Sequence, residues 1–363
     1  MTLPLYSANL THPSRYPGGG NAGLWYDKFC DTWRQEGGIW TLAAREKGKS
    51  PKLEWIAKVS GKGVGDRDLL KEICARQSRL LKECYRPDAE PLLFHTEWRF
   101  VTGLGRQHPV ENGFAWHQTL GVPYLPGSSV KGMVRNWAVC WEEKVDAEEV
   151  KRIFGPRNDK SKKDSSHEVM AGSVIFLDAL PVEPVKLEAD VMTPHYGDYY
   201  ANGAPPGDWM SPNPIPFLVV APNQTFQFAI IPRPGTDTGK EDVERAQQWL
   251  EEALTQIGAG AKTAVGYGVF RADVSNVDDG EEVWENARLR YEPGDAKFTA
   301  TVPGRRTAWG TRDNCVNGGF YEKLSKRKQK KIRKEGVLVT VKVQKKLPNV
   351  YQLLEIVSAD DKA

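Results

Sequence analysis

The chain has 363 residues, 40% of them apolar and 12 of them Trp, with a formal net charge of +3. That length predicts two domains, or one core with large insertions, and the apolar content is ample for a core. No apolar run is long enough to cross a bilayer, and the start, M-T-L-P-L-Y-S-A-N-L, lacks the basic segment and apolar block of a secretion signal. The five cysteines, Cys30, Cys74, Cys84, Cys140 and Cys315, include no C-x-x-C pair. They argue against a disulfide framework or a cysteine zinc site and predict a reducing, cytoplasmic setting. The net charge hides an asymmetry. Residues 281–363 hold 18 Lys or Arg against 11 Asp or Glu, a net of +7, and the remainder holds 32 against 36, a net of −4. A basic segment on a near-neutral body predicts a polyanionic partner at one end.

In chain order, residues 1–22 are rich in Pro and Gly and read as an extended arm. Asn21–Trp55 is aromatic-rich loop or short helix. Asp66–Tyr85 repeats Leu69, Leu70, Ile73, Leu80 and Leu81 among charges, which predicts an amphipathic helix. Leu92–Val101 reads as a strand. Ser128–Glu143 reads as a helix: Pro126 and Gly127 break the chain, Ser128 or Ser129 serves as N-cap, and Val130, Met133, Val134 and Trp137 follow at helical spacing. Arg157–Glu168 is a polar insertion, and Ala171–Leu180 a buried strand. Asp190–Pro216 is a loop rich in Tyr, Pro and Gly, of a length that is usually functional. Phe217–Val220 and Thr225–Ile231 read as strands around Pro222–Asn223, and Glu241–Ile257 as an amphipathic helix on Val243, Ala246, Trp249, Leu250 and Leu254. Lys297–Val302, Val337–Val343 and Val350–Val357 read as strands of a small β-barrel or sheet, of which the OB type is one form.

Three stretches carry chemistry. In P-Y-L-P-G-S-S-V-K-G-M-V-R (Pro123–Arg135) the hydroxyls of Ser128 and Ser129 stand at a helix start, and Lys131 and Arg135 lie four residues apart on one face. Free amides, hydroxyls and two cations at a helix N-terminus suit a phosphate. In G-A-G-A-K-T-A-V-G-Y-G (Gly258–Gly268) Gly258 fits a helix C′ position. Gly260, Gly266 and Gly268 leave the backbone open to close approach, Lys262 offers a cation, and Tyr267 offers an exposed ring. Four glycines and a lysine exceed what a turn requires, so the segment is expected to contact RNA. Lys323–Lys334 holds eight cations in twelve residues and no acid. A one-sign block of this kind, with Lys326, Arg327, Lys330 and Lys331 in it, predicts contact with nucleic acid or an acidic neighbouring subunit.

Against these, His117 is weighed as a general base and read instead as a hydrogen-bonded residue beside Trp116 that fixes its loop. His195 is treated alike. Asp190, Asp198 and Asp208 lack a tight metal-ligand spacing and are expected in turns. No catalytic residue, metal site or cofactor is therefore expected.

The first two stretches together resemble the RAMP superfamily of CRISPR proteins, whose signature is a glycine-rich loop near the C-terminal end of the core. F-V-T-G-L-G-R-Q-H-P-V-E-N-G-F-A-W-H (Phe100–His117), D-V-M-T-P-H-Y-G-D-Y-Y (Asp190–Tyr200) and P-I-P-F-L-V-V (Pro214–Val220) narrow the resemblance to the sixth-subunit family of Cmr-type, type III-B, interference complexes. It covers about Asn21–Phe270. It implies an α+β fold with a ferredoxin-like, RRM-related β-α-β-β-α-β core bearing long insertions. The predicted elements follow that order with one strand to spare. The expected divisions are an N-terminal arm and helical extension at 1–90, the RAMP core at 91–280 and a basic, β-rich extension at 281–363. The resemblance further implies a non-catalytic RNA-binding subunit at the small end of the complex, beside the 3′ part of the guide RNA. Its partners would be guide and target RNA, the backbone RAMP subunit that cuts the target, and another RAMP subunit, with no membrane involved. The phosphates would lie on Ser128, Ser129, Lys131, Arg135 and Gly258–Gly268, and Asp190–Pro216 would act as a thumb. The rival expectations are a RAMP endoribonuclease using His117 or a loop aspartate, and a scaffold that touches only protein.

Overall fold

A computed structural model describes residues 19–42, 50–61, 63–142, 145–156, 171–203, 205–272, 281–292, 297–302, 307–311, 325–347 and 350–359. The predicted insertion Arg157–Glu168, most of the N-terminal arm, and Lys323 lie outside the described residues. The chain divides into two compact units, Met1–Ala272 and Asp273–Ala363.

In the first unit, α1 (Ala22–Lys28) starts behind Asn21, whose side chain accepts from the Leu24 amide. α2 (Pro51–Ala57) opens on a proline, which has no amide to leave unsatisfied there. α3 (Arg67–Cys84) is capped by Asp66, which accepts from the Asp68 and Leu69 amides. Between α1 and α2, Trp33–Glu36 and Ile39–Leu42 form a hairpin. Trp25 of α1 stacks on Trp55 of α2 at 4.4 Å, and both are buried in the same cluster as the strands and helices that follow.

Those elements are β1 (Leu92–Thr96), α4 (Gly127–Cys140), α5 (Ala147–Phe154), β2 (Val174–Phe176), β3 (Leu180–Pro181), β4 (Val185–Met192), α6 (Gly197–Asn202), β5 (Ile215–Val220), β6 (Thr225–Phe228), β7 (Ile230–Pro232), α7 (Gly239–Gln256) and β8 (Phe270–Ala272). An antiparallel sheet runs in the order β8-β1-β6-β3. β5 and β4 pair with each other, β4 also pairs with Gly63–Val64, and β7 pairs with β2. Phe94, Phe226, Phe228 and Phe270 meet edge to face across the main sheet at 5.6–5.9 Å. α7 buries Val243, Ala246, Trp249, Leu250, Ala253 and Leu254, a single stripe at helical spacing.

Several elements differ from expectation for one reason, a change of hydrogen-bonding partner. The strand expected over Ala171–Leu180 divides because the Leu177 amide bonds Ala229 while Ala179 exchanges bonds with Leu125. Thr225–Ile231 divides at the same Ala229. Leu92–Val101 is a strand only as far as Thr96, after which Phe100 bridges to Val220. Within the glycine segment Thr263–Val265 is a 3₁₀ turn set between two left-handed residues, Lys262 and Gly266, and the last strand of the sheet follows only at Phe270–Ala272. Asp190, expected in a loop, lies in β4, whose alternating Val185, Leu187, Ala189 and Val191 mark a strand.

The second unit contains β9 (Glu281–Glu292), β10 (Lys297–Thr301), β11 (Thr307–Thr311), α8 (Lys326–Lys334), β12 (Val337–Leu347) and β13 (Val350–Ala359). The strands close into a barrel in the order β9-β10-β11-β13-β12; β11 and β13 are parallel and the other pairs antiparallel. Trp284, Ala287, Leu289, Phe298, Val339, Val341, Val343 and Leu353 fill the interior, together with Ile332 of α8.

Candidate nucleic-acid interface

α4 begins one residue earlier than its hydroxyls suggested. Pro126 is the N-cap, with no side-chain cap bond, and Gly127 is the first helical residue. The Gly127 amide is taken by Asp178 Oδ1 at 2.7 Å, so neither Ser128 nor Ser129 caps the helix; both are exposed in its first turn. The Asp178 carboxylate complements the positive helix end and competes there with any phosphate. Gly127 is fixed by packing, since a Cβ would lie 2.2 Å from the Phe176 carbonyl oxygen.

At about 100° per residue, α4 places its cations and Ser129 on opposite borders of its buried stripe, which comprises Gly127, Val130, Val134, Trp137 and Ala138. Lys131 and Arg135 share one border with Arg233, which donates to the Gly172 carbonyl at 2.7 Å. Burial, and then the charges of Arg135 and Arg233, lower the Lys131 pKa below the ordinary lysine value. Three cations are thus gathered where sequence reading named two. Ser129, Met133 and Asn136 lie on the other border and line a cleft of about 640 Å³.

That cleft joins the two motifs. Its walls are Ser129, Met133, Asn136 and Trp141, the loop Thr102–Gly105, and the glycine segment from Ile257 to Ala261 with Thr263. Most of the glycine segment's chemistry is directed inward. Gly258 is C′ of α7 at φ +76°, its amide bonded to the Ala253 carbonyl. A Cβ on Gly260 would lie 2.2 Å from the Val101 carbonyl oxygen, and one on Gly268 would lie 1.9 Å from that of Ala259. These glycines are required by the loop's own packing, so the expectation that four glycines exceed the needs of a turn is corrected for all but Gly266. Gly266, at φ +90°, has no atom within 4 Å of a Cβ position.

Tyr267 is not a free stacking face. It is half-buried, its hydroxyl donates to Asp190 Oδ2 at 2.5 Å, and its ring lies 6.0 Å from that of Phe217. Burial, with Asp190 as acceptor, pushes the phenol up to about 12. Asp190 also accepts from Arg99 at 3.1 Å, and Arg99 donates to Glu188 at 3.1 Å. The Arg99 carbonyl in turn accepts the Gly268 amide at 2.8 Å. The network ties the glycine segment to β4. Lys262 lies 5.6 Å over the Phe217 ring and 6.0 Å over that of Tyr267, a cation at the mouth of this network.

His117 Nδ1 accepts the Leu120 amide at 3.3 Å, and the ring meets Tyr124 edge-on at 5.3 Å. Burial lowers its pKa below the usual histidine value, so it braces its turn as a neutral ring. His195 is exposed beside Tyr196. Among the described residues no three His, Cys, Asp or Glu side chains cluster as a metal site would require. The expected thumb exposes Tyr200 in α6 and Trp209 beyond it, 79% and 82% accessible.

In the second unit, Lys326, Arg327, Lys330 and Lys331 are exposed on α8, which Ser325 caps by accepting from the Lys328 amide and which Ile332 anchors to the barrel. Sequence reading missed Asn136, Trp141, Thr102–Gly105, Arg233 and Asp178. Only the Thr102–Gly105 stretch carried a signal, as part of a quoted motif without an assigned role.

Comparison with known proteins gives consistent results. A model of the RAMP superfamily matches residues 91–271. Cmr6 of the CRISPR system Cmr of Pyrococcus furiosus is 32% identical over a match covering 48% of this chain and 65% of that protein. Cmr6 of Saccharolobus solfataricus is 29% identical, over 44% of this chain and 48% of that protein. The matches thus span about half to two thirds of these relatives. A chain in the cryo-EM structure of a Type III-B Cmr-beta complex bound to cognate target RNA is 24% identical, with a TM-score of 0.46, covering 64% of this chain and 78% of that one. Among the described residues no helix is long and apolar enough to cross a membrane.

Proposed function

Because this chain is a RAMP superfamily protein related to Cmr6, we propose that it is a non-catalytic RNA-binding subunit of a type III-B CRISPR effector, holding the guide-RNA backbone near its 3′ end. The observation that carries the reading is the single cleft formed by the Ser129 face of α4, Thr102–Gly105 and the glycine segment. Its lining of backbone groups, the hydroxyls of Thr102, Ser129 and Thr263 and the Asn136 amide suits a sugar–phosphate chain and reads no base identity. The order β8-β1-β6-β3, with α4 and α7 between strands, supports a ferredoxin-like core within the expected 91–280 division. Lys131, Arg135 and Arg233 form a second phosphate contact on the other border of α4. The relatives are named as Cmr subunits, which supports membership of a Cmr complex; the partners proposed with it are guide and target RNA, the backbone RAMP subunit and a further RAMP subunit. The exposed Tyr200 and Trp209 are the thumb's contact with a neighbour. The engagement of His117 as a loop brace supports the non-catalytic role.

The test places carboxylates in the cleft. Ser129 and Asn136 are both exposed, so S129E/N136E should fold normally while weakening binding of a guide-like single-stranded RNA at least tenfold by fluorescence anisotropy. Unchanged affinity would remove the cleft from the RNA path. Cleavage of guide precursor or target RNA by the purified chain, with or without divalent metal, would overturn the non-catalytic reading.

A further inference from the structure

We propose that the second unit binds single-stranded nucleic acid, on a surface joining the outward face of β9 to the basic helix α8. This contact lies outside the cleft of the first unit and does not rest on it. Topology is the first observation. Five strands close in the order β9-β10-β11-β13-β12, with β11 parallel to β13 and α8 between the third and fourth strands. This is the arrangement of the OB barrel, a scaffold for unpaired oligonucleotides and for oligosaccharides.

Charge is the second observation, and it decides between those ligands. α8 carries Lys326, Arg327, Lys330, Lys331 and Lys334, all exposed, within nine residues. At about 100° per residue, Lys326, Arg327, Lys330 and Lys334 fall on the face opposite the buried Ile332. The barrel continues the patch. Arg288 and Arg290 alternate with the buried Ala287, Leu289 and Tyr291 and are exposed on the outer face of β9. Their cross-strand partners on β10 are Thr301 and Thr299, which add hydroxyls and no charge. The helix and this face are held together. At Gly336, just beyond α8 and at φ +79°, a Cβ would lie 2.8 Å from Arg288 Cγ and 3.2 Å from Arg290 Cγ. The chain just beyond the basic helix therefore lies against both arginine stems, and cations from two elements stand on adjoining surfaces with the exposed C-cap Glu335 at their junction. An uncharged sugar chain has no use for such a surface, whereas a phosphodiester chain complements it. The surface lies beside, and not on, the face of the second and third strands that OB barrels use for ligands, and its closely spaced cations suit a flexible unpaired strand that can follow them more readily than a stiff duplex.

The full-length chain is tested in two backgrounds, wild type and S129E/N136E, so that failure of the first-unit cleft leaves this surface readable. Anisotropy is recorded with an unstructured 20-nucleotide RNA, its duplex, and polyglutamate as a stand-in for an acidic protein partner. The single strand should bind more tightly than the duplex, and R288E/R290E/K326E/K330E should lower its affinity at least tenfold in both backgrounds. Thermal melting should match the parent, and the charge-neutral R288Q/R290Q/K326Q/K330Q should give an intermediate loss, excluding misfolding as the cause. Unchanged single-strand affinity in the reversed variant would overturn the proposal. So would equal binding of single strand and duplex, or a preference for polyglutamate, which would mark a protein-docking surface.

Discussion

Gly268→Ala and Gly266→Ala separate what the glycine segment does for its own fold from what it does for a ligand. Both residues have left-handed backbones, at φ +73° and +90°, so alanine costs about 1–2 kcal/mol at either. Only Gly268 faces a second penalty, because its Cβ would lie 1.9 Å from the Ala259 carbonyl oxygen, which accepts no displacement without breaking the Ala259–Gly268 bonding. Overpacking of this kind adds roughly 1–3 kcal/mol. The sum for Gly268→Ala is ~2–5 kcal/mol, and at roughly 2–4 °C per kcal/mol for a unit of this size it lowers the melting temperature by ~4–20 °C. Gly266→Ala, with open space around the new methyl, should stay within ~2–8 °C on the same scale. Differential scanning fluorimetry gives the first readout and RNA anisotropy the second. Gly268→Ala should lose stability first and RNA binding only as a consequence. Gly266→Ala should lose affinity out of proportion to its small thermal effect if the ligand lies on that side of the turn, since among the described residues its methyl meets no atom within 4 Å. If Gly268→Ala melted with the parent, the packing account of the segment would be wrong. If Gly266→Ala bound RNA normally, the open side of the turn would not face the ligand.

Two further outcomes follow from the charges and histidines. K131A/R135A should flatten the dependence of log affinity on log salt by about 0.7 for each lost single-strand phosphate contact, equally for all RNA sequences, and an unaltered slope would take the pair out of the phosphate set. Burial holds His117 below its ordinary pKa, so its contribution to stability is fully present above the unfolded value of about 6.5 and is lost as pH falls through the folded value. Asp27, raised to about 6 by burial, acts in the opposite sense, so the parent alone is a poor probe. The melting difference between His117→Gln and the parent should be constant above about pH 7 and should grow in the variant's favour down to pH 5; a difference that stays flat would show that His117 is not held neutral by the fold.

The long amphipathic helices were legible because their periodicity is local: α3 and α7 lie within two residues of the predicted bounds at either end. The two motifs were legible as chemistry, and the structure brings them to one cleft. What sequence could not show is which distant carbonyl each glycine approaches, because Val101 and Ala259 become neighbours of Gly260 and Gly268 only through folding. The cap of α4 was hidden for the same reason: the acceptor for Gly127 comes from Asp178, 51 residues away. The short strands escaped because β2–β3 and β6–β7 change partner within a residue or two, and no period survives that. One feature was available and unread. At 100° per residue, Ser129 and Lys131 stand about 200° apart, so the helix alone separates the hydroxyl that enters the cleft from the cations that do not.

The same wheel bears on α8. Lys326 and Lys330, Arg327 and Lys331, and Lys330 and Lys334 are three like-charge pairs at i,i+4, each opposing the helix by about 0.2–0.5 kcal/mol. Nine residues are too few for a helix to persist on propensity, and this one is held by the Ser325 cap, by Ile332 in the barrel and by the packing of its end against Arg288 and Arg290. Lys331, Arg333 and Lys334 in the last turn complement the negative helix end, but Lys326 and Arg327 stand in the first turn at the positive end, where a helix that served only to plug the barrel would be more stable with Glu. The charge also continues onto β9, where Arg288 and Arg290 stand beside the helix end, and the exposed C-cap Glu335 offsets only part of it. Stability alone therefore does not account for the charge, and a polyanion accounts for both parts of it: phosphates placed between the cations turn each repulsive pair into two attractive contacts, in a manner that rising salt must weaken.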